Sequence, residues 1–257
     1  MKLLHLTPAL CLLVVVAGAQ QRPAPPKPAA IPAGVPVEVA VPLQKPPAPK
    51  PTPPPQQPAV ATPCALLTEE LDLLKLGLDH WYFDRPGIAT DKVARLDNGV
   101  LHLSGTPTGC LITKRWFRDY EIEVEWRWPG QPGNGGVLPH ARTPDQIGCW
   151  PRAMECQLLH GDVGEFLAIP RNLPFTSSPN SNQGGIAKRA PGVKENAVGE
   201  WNNMRVQCRG HDFEIFVNGM RANGCTGWPD SEGPLALQNE GTPIDFRKVV
   251  VRPLPKP

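Results

Sequence analysis

The stretch at residues 120–128 constrains the fold of this chain more than any other part of the sequence. It reads YEIEVEWRW, so that charged side chains alternate strictly with Ile122, Val124, Trp126 and Trp128. A period of two residues is typical of a β-strand that has one face in the core and the other in solvent. The pattern therefore predicts antiparallel sheets with one polar face.

Further short runs with the same alternation follow along the chain, and turn markers such as Asn218-Gly219 separate them. They lie at residues 100–104, 153–159, 204–209, 213–218, 234–238 and 246–251. Many short strands at such intervals indicate an all-β fold, an antiparallel β-sandwich or jelly roll. Residues 66–78 instead show roughly helical spacing, which predicts a short helix before the first strand.

The first 63 residues have a different character from the remainder. Residues 1–19 combine Lys2, an apolar stretch too short to span a bilayer comfortably and a small-residue Ala17-Gly18-Ala19 sequence, which predicts a secretory signal peptide. An uncleaved anchor is the alternative. Residues 20–63 hold 16 of the 34 prolines and no aromatic residue, so we expect a disordered, proline-rich linker. The folded domain is then 64–257, and the protein is expected to be exported, either to the periplasm or to the extracellular space.

Charge and cysteine content restrict the partners of this domain. Residues 64–257 carry 21 Lys and Arg against 23 Asp and Glu, which argues against nucleic acid as the main partner. Six cysteines follow the signal and allow 15 disulfide connectivities, whereas no pair has the CxxC spacing of a zinc site. The best single candidate for a disulfide is Cys208 to Cys225, because the two flank a predicted hairpin. Buried free cysteines are the competing interpretation.

Polar residues interrupt the apolar run at 150–166, WPRAMECQLLHGDVGEF. Glu155 and Gln157 are two positions apart and share one face of the predicted strand, while Met154, Cys156 and Leu158 share the other. A carboxylate and an amide side by side on a rigid strand suit the binding of a sugar or the transfer of a proton. The alternative is an ordinary ladder position paired with an arginine on the next strand.

Other polar residues are weaker candidates, and each has a structural alternative. Glu125 and Arg127 continue the polar face at 120–128, where a salt-bridged surface is the competing interpretation and is preferred for Glu121 and Glu123. His140 suits an acid or a sugar donor, although a lone histidine at a strand end is more often a surface residue.

Aromatic and turn residues complete the set of candidates. Trp150 suits stacking on a sugar ring. Asn134 and Gln238 suit polar contacts with a substrate, although turn formation and sheet pairing explain them almost as well. His160 with Asp162 provides too few ligands for a metal site. The aperiodic interval at 167–199 is expected to be a long loop, which could form a wall beside the polar face.

Five segments together resemble a known family. They are GNGGVLPHA at 133–141, WPRAMECQLLHGDVGEF at 150–166, GEWNNMRVQCRG at 199–210, FVNG at 216–219 and LALQNEGTPIDFRKVVVRPL at 235–254. Their order and spacing resemble the 3-keto-disaccharide hydrolase domain family, which has a concanavalin A-like lectin/glucanase fold, over about residues 79–254. Two departures stand out: Asn134-Gly135-Gly136 replaces the usual Asn-Ser-Gly, and Asn196-Ala197 stands where the family often has Lys-Pro or Asn-Pro.

The resemblance implies a carbohydrate-active protein that cleaves 3-keto-glycosides by elimination and hydration or by hydrolysis. Glu155 is then the expected base, with Glu125 and His140 as further catalytic candidates. The expected substrate-binding residues are Gln157, Arg127, Trp150, Asn134 and Gln238. No cofactor, no metal and no membrane span after signal removal are expected.

Two other functions stay open, and the sequence leaves the oligomeric state undetermined. One is a non-catalytic, lectin-like carbohydrate-binding module, which the missing lysine before Gly199 favours. The intact Glu155 and Gln157 pair favours the enzyme. A structural protein of the cell envelope is a third and weaker alternative.

Overall fold

The fold consists of short strands in two antiparallel sheets. The computed structural model describes residues 67–178 and 183–255. In chain order the strands are β1 Leu71–Asp72, β2 Trp81–Phe83, β3 Ala94–Asp97, β4 Val100–Leu103, β5 Gly109–Phe117, β6 Tyr120–Arg127, β7 Gly136–Leu138, β8 Arg142–Ile147, β9 Trp150–Gln157, β10 Phe166–Ile169, β11 Thr176–Ser178, β12 Ile186–Ala187, β13 Asn202–Arg209, β14 Asp212–Val217, β15 Met220–Thr226, β16 Gly233–Asn239 and β17 Ile244–Pro253. Two short 3-10 helices, Leu78–His80 and Thr90–Lys92, lie among the first strands.

The strands divide into a nine-stranded and an eight-stranded sheet. The first has the order β11-β15-β14-β13-β6-β17-β4-β3, with β1 paired to β17. The second has the order β12-β10-β9-β7-β16-β5-β2, with β8 paired to β9. Apolar side chains from both sheets form one buried cluster between them. The predicted concanavalin A-like antiparallel β-sandwich is confirmed.

The alternation at 120–128 is explained by the position of β6 in the nine-stranded sheet. Ile122, Val124 and Trp126 are buried in the cluster between the sheets, while Glu121 and Glu123 lie on the outer face. Both neighbours of β6, which are β13 and β17, pair with it along most of its length. The polar stripe of the sequence is therefore the outer surface of the nine-stranded sheet.

A second apolar cluster lies on the outer face of the eight-stranded sheet. Its members alternate along their strands with the residues that fill the space between the sheets, and they are small or of medium size. They are Cys110, Ile112, Leu138, Ala141, Ala153 and Ala236. The eight-stranded sheet is thus buried on both faces around this cluster, where the first five residues of β5 and all of β16 are buried.

The predicted helix at 66–78 is wrong over the part that the structure describes. Leu71–Asp72 is instead a strand paired with β17, and a turn follows it. The Asp72 carboxylate accepts hydrogen bonds from the backbone N–H groups of Leu74 and Lys75, at 3.1 and 3.3 Å. Local side-chain bonds of this kind compete with helix formation. Burial of Leu73 and Leu74 in the core fixes this turn in place.

The predicted hairpin turn at Asn218-Gly219 is confirmed. Both residues have positive φ angles, 47° and 84°, and Val217 pairs with Met220 across the turn. Such a turn favours asparagine followed by glycine, because both central residues lie in the left-handed region. The long aperiodic interval at 167–199 contains most of β10 together with the short strands β11 and β12, so it is more regular than the sequence predicts.

The predicted disulfide between Cys208 and Cys225 is wrong. Both cysteines are free and buried, as are Cys110 and Cys156. Cys208 and Cys225 each pair with Phe213, so that β14 lies between their strands. Two strand spacings separate them by about 10 Å, which is beyond the span of a disulfide.

Residues 1–66 lie outside the described residues. The predicted signal peptide, the linker and Cys64 therefore stay predictions. Within the described ranges, no helix has the length and apolar character needed to cross a membrane.

Candidate functional site

Glu155 and Gln157 lie on the outer face of the eight-stranded sheet, as their spacing predicts. On β9 they alternate with Met154 and Cys156, which are part of the core between the sheets. Both polar side chains are nevertheless only 4% exposed. Glu155 is thus a buried carboxyl on an outer face, close to a patch of small apolar residues.

The register of three adjacent strands places the amide of Gln157 on one side of Gly136 and the amide of Gln238 on the other. Gly136 on β7 pairs with Gln157 on β9. On the other side of β7, the register of Leu237 with Val137 places Gln238 next to Gly136. We call the outer surface around Glu155, Gln157 and Gln238 the Glu155 face.

Gly136 is required by the position of the Glu155 side chain. A Cβ atom at this position would lie 2.9 Å from Glu155 Cγ and 3.0 Å from Glu155 Oε1. Gly136 does not have a positive φ, so the reason is space rather than backbone conformation. The absent side chain allows the carboxyl of Glu155 to lie over the middle of the sheet.

Burial dominates the electrostatics of Glu155. It raises the pKa of this carboxyl from its ordinary value of 4.5 to about 8, and the nearby charge of Glu240 acts in the same direction. Arg171 and the amides of Gln238 and Gln157 oppose the increase. Among the described residues, Glu155 Oε1 has no hydrogen-bond partner. At neutral pH most of the Glu155 side chains are therefore protonated, and the carboxyl has an open acceptor.

The Gln157 amide is held in one orientation by the main chain. Its Oε1 accepts a hydrogen bond from the N–H of Leu159 at 2.7 Å. The side chain therefore presents its NH₂ group as the remaining donor. Gln238 has a buried Oε1 without a partner within the described part of the chain. The Glu155 face thus carries both unused acceptors and oriented donors.

A second carboxyl lies directly after β16. Asn134 and Glu240 form an isolated bridge, and Asn134 Nδ2 donates to Glu240 Oε2 at 2.7 Å. Burial raises the pKa of Glu240, and the bond from Asn134 acts in the opposite direction. Asn134 is therefore a partner of the second carboxyl, a more specific role than its sequence position indicates.

Trp150 lies at the margin of the Glu155 face. It is half-buried and packs against the small apolar cluster on this side of the sheet. Its position is compatible with contact to a sugar that lies on the same face. Of the eight predicted site residues, the structure brings together Glu155, Gln157, Gln238, Asn134 and Trp150.

Glu125 and Arg127 are not beside Glu155, so the expected common site is wrong in this respect. They lie on β6, which belongs to the nine-stranded sheet. Glu125 forms a salt bridge with Arg247, and Arg127 donates to Asp245 at 3.0 Å. Alternation in a sequence shows that residues share a face, but it cannot show to which sheet that face belongs.

His140, a predicted catalytic residue, is likewise absent from the Glu155 face, and the alternative of a surface position is also wrong. It is fully buried between Tyr120 and Phe213, with ring centroids at 5.7 and 5.1 Å. Burial lowers the pKa of His140 to about 4, against the opposing effect of its bond with the Asp230 carbonyl. A neutral, enclosed imidazole cannot serve as an acid at the Glu155 face.

His160 does not combine with Asp162. It pairs with Glu195, with 2.7 Å between Nδ1 and Oε1. The described ranges contain no group of three or more His, Cys, Asp and Glu side chains suited to a metal ion.

Sequence reasoning missed three contributors to the Glu155 face. Gly136 occurs in the glycine-rich segment at 133–136, and only its cross-strand neighbours show its role. Cys110 lies opposite Gln238, and burial raises the pKa of its thiol well above the usual range. Arg171 follows β10 in a segment that has no periodic signal.

Comparisons with known proteins identify the family and support the fold. A sequence profile of the 3-keto-alpha-glucoside-1,2-lyase-like domain matches residues 76–252. Two crystal structures from Parabacteroides distasonis ATCC 8503, each provisionally named a glycosyl hydrolase, superpose with a TM-score of 0.53. One is 19% identical over 72% of this chain and 100% of that chain, and the other is 18% identical over 69% and 89%. Likeness at this identity shows the fold alone. No curated protein sequence matches the chain significantly.

Proposed function

Because the chain belongs to the 3-keto-alpha-glucoside-1,2-lyase-like domain family, we propose that it cleaves 3-keto-glycosides at the Glu155 face. The observation that carries the proposal is the buried carboxyl of Glu155, which lies between oriented amides on an outer sheet face. A buried carboxyl with one oxygen that has no partner among the described residues is costly for folding, and perturbed groups of this kind concentrate at functional sites.

The chemistry of a 3-keto-glycoside requires one proton transfer before the bond breaks. The ketone at C3 acidifies the hydrogen on C2, so a base can remove it and leave an enolate. The enolate then expels the glycosidic oxygen from C1, which takes up a proton and leaves as the alcohol. Water adds to the resulting double bond and releases the 3-keto sugar. The site must therefore supply a base, an acid that gives the leaving oxygen its proton, and donors for the enolate oxygen.

Glu155 is the proposed base. A carboxyl with a pKa of about 8 is ionised to about a tenth at pH 7, and the ionised fraction is a stronger base than an exposed carboxylate. The apolar neighbours that raise its pKa also exclude water from the proton transfer. The open Oε1 is the atom proposed to accept the C2 proton.

The enolate oxygen is proposed to bind the amide donors beside Glu155. Gln157 offers its NH₂ group because its oxygen is bound to the main chain. Gln238 lies on the opposite side of Gly136, and the Arg171 side chain adds a positive charge that already acts on Glu155. Donors of this kind stabilise the negative charge that develops on the enolate oxygen at C3.

Glu155→Gln tests the proposal directly. The wild-type protein should release the 3-keto sugar from 3-keto-glucosides but not from the unoxidised parent glucosides, and Glu155→Gln should lose at least a hundredfold in kcat/KM. Glu125→Gln is a matched control, because it removes a carboxylate from the opposite sheet and should retain activity. Binding without turnover by both the wild type and Glu155→Gln would overturn the enzyme and favour the lectin-like module.

The pH profile distinguishes a base from an acid. If Glu155 is the base, kcat/KM should rise with pH and level off above about 8, where the carboxyl is ionised in the free protein. A profile that falls through the same pH would assign Glu155 as the acid that protonates the leaving group.

The proposed location of this activity is outside the cytoplasm. It rests on the small-residue sequence Ala17-Gly18-Ala19 and on the proline-rich linker. Sequencing the N-terminus of the mature protein from its native host would test this proposal. A mature chain that still begins at Met1 in the cytoplasm would contradict it.

A further inference from the structure

The outer face of the nine-stranded sheet contains a cavity of about 450 Å³ between β3, β4, β6 and β17. We propose that this cavity is a second binding site, separate from the Glu155 face, and that it takes a sugar acid, a small polyol that carries a carboxylate. Three features support this site: a row of charged residues in register, a buried aspartate that orients two of them, and the mixed charge of the cavity wall.

Four residues form a row across adjacent strands at the edge of this cavity. Arg95 pairs with His102, His102 pairs with Asp245, and Asp245 pairs with Arg127. Directly paired residues project from the same face, about 5 Å apart. The row therefore places basic, acidic and imidazole groups side by side along one wall.

Asp245 fixes the orientation of its two neighbours. Its side chain is only 4% exposed. Its carboxylate accepts hydrogen bonds from His102 Nδ1 at 2.6 Å and from Arg127 Nε at 3.0 Å. The contact uses His102 Nδ1 and leaves Nε2 for a ligand. The bond to Arg127 uses only Nε, so the two terminal nitrogens of the guanidinium can still bind a carboxylate.

Arg127 is further stabilised by an aromatic ring. Its guanidinium carbon lies 4.6 Å from the ring centroid of Trp201. Stacking and the bond to Asp245 together restrict a side chain that is otherwise long and mobile. Pre-ordering of this kind lowers the entropic cost of binding a ligand.

The remainder of the same sheet face is also a ladder of ion pairs, and the cavity differs from it in being a concave space beside the paired residues. Glu121 pairs with Arg205, Glu123 with Lys248 and Glu125 with Arg247. These pairs satisfy one another on a solvated surface. At the cavity, Arg95 pairs with Asp97 at 2.7 Å, and Lys92 lies 4.0 Å from Asp91. Both cationic side chains are mostly exposed, so solvent-facing nitrogens can turn to a ligand in the cavity.

The mixed charge of the wall selects the class of ligand. Arg127, Lys92 and Arg95 favour a carboxylate, whereas Asp245 and Asp91 would repel a bare oxyanion. The exposed carboxylate of Asp91 can accept hydrogen bonds from the hydroxyl groups of a polyol. The volume is within the usual range for small-molecule sites. A sugar that carries one carboxylate satisfies both kinds of group.

Calorimetric titration of the full-length protein tests the site with three probes: glucuronate, glucose and inorganic phosphate. We expect glucuronate to bind and glucose to bind at least tenfold more weakly, since only glucuronate can pair with Arg127. In Arg127→Gln, glucuronate affinity should fall at least tenfold. NMR signals of the His102 imidazole should shift on addition of glucuronate.

Arg205→Gln is the matched control for Arg127→Gln. Arg205 lies on the same sheet face, is paired with Glu121 and stacks on Phe216 at 4.7 Å, but it does not line the cavity. Its replacement should leave glucuronate affinity unchanged. If Arg127→Gln does not fold, His102→Gln is the second variant and should weaken binding by a similar factor.

Several results would overturn the proposal. These are equal affinity for glucose and glucuronate, phosphate binding as tight as glucuronate binding, and an equal loss in the Arg205→Gln control. None of these results depends on Glu155, so the cavity proposal and the proposed activity at the Glu155 face can be contradicted independently. Glu155→Gln should bind glucuronate at the cavity as tightly as the wild type does.

Discussion

Replacement of Glu155 by glutamine is expected to stabilise the protein, and the gain should increase with pH. The fold favours the protonated carboxyl, because burial raises its pKa from 4.5 to about 8. The unfolded chain keeps the ordinary value, so it releases this proton at lower pH than the native state does. The contribution of Glu155 to the free energy of unfolding is therefore fully present below pH 4.5 and is lost as the pH rises through 8.

The size of the effect follows from this difference in pKa. Between pH 4.5 and about 8, each pH unit lowers the free energy of unfolding by about 1.4 kcal/mol. The cost is about 3 kcal/mol at pH 7 and reaches about 5 kcal/mol above pH 8. Glutamine has nearly the same shape and never ionises, so Glu155→Gln should recover these amounts at the same pH values.

Urea unfolding at pH 5, 7 and 8.5 measures the gain. The difference in unfolding free energy between Glu155→Gln and the wild type should be small at pH 5 and largest at pH 8.5. Glu165→Gln is the control: Glu165 is also buried, but Lys188 pairs with it at 2.9 Å, so removal of its charge should not stabilise. A gain for Glu155→Gln that is equal at all three pH values, or a loss at pH 8.5, would refute the reasoning.

Three further predictions concern packing. Gly136→Ala should lower kcat/KM about tenfold, because its Cβ would displace the Glu155 side chain, and circular dichroism should show an unchanged fold. In the native protein a thiol reagent should label Cys149, which is half-buried, long before the buried Cys208 and Cys225; a Cys208–Cys225 bridge in non-reducing peptide maps would contradict the structure. Asn223→Ala should cost about 2 kcal/mol in urea unfolding, since its amide donates to the buried carbonyl of Ala187 at 2.9 Å; an unchanged midpoint would show that this bond is dispensable.

Alternation predicts strands with one polar face most directly, and the runs at 153–159 and 234–238 also predict β9 and β16, most of whose residues are buried. β6 and β14 alternate because one side faces the core and the other faces water. β5 was missed because most of its residues are buried on both sides of the eight-stranded sheet. The helix predicted at 66–78 failed for a related reason: a short-range pattern of leucines and charges is also compatible with a turn that buries Leu73 and Leu74.

In the candidate site, too, some features follow from the local sequence and others depend on the tertiary structure. The sequence alone determined that Glu155 and Gln157 share a face, because that follows from the two-residue period of a strand. It also determined the Asn218-Gly219 turn, which depends on local backbone conformation. Properties that are set by neighbours along the chain are accessible in this way.

Tertiary structure alone decided which distant residues join Glu155. Sheet order placed Gln238 next to Gly136 and carried Glu125 and Arg127 to the opposite sheet, while packing enclosed His140 in the core. The raised pKa of Glu155 likewise depends on burial by several strands. Pairing between strands far apart in sequence is a property of the whole fold, so a local pattern specifies which side chains share a face but not what that face meets.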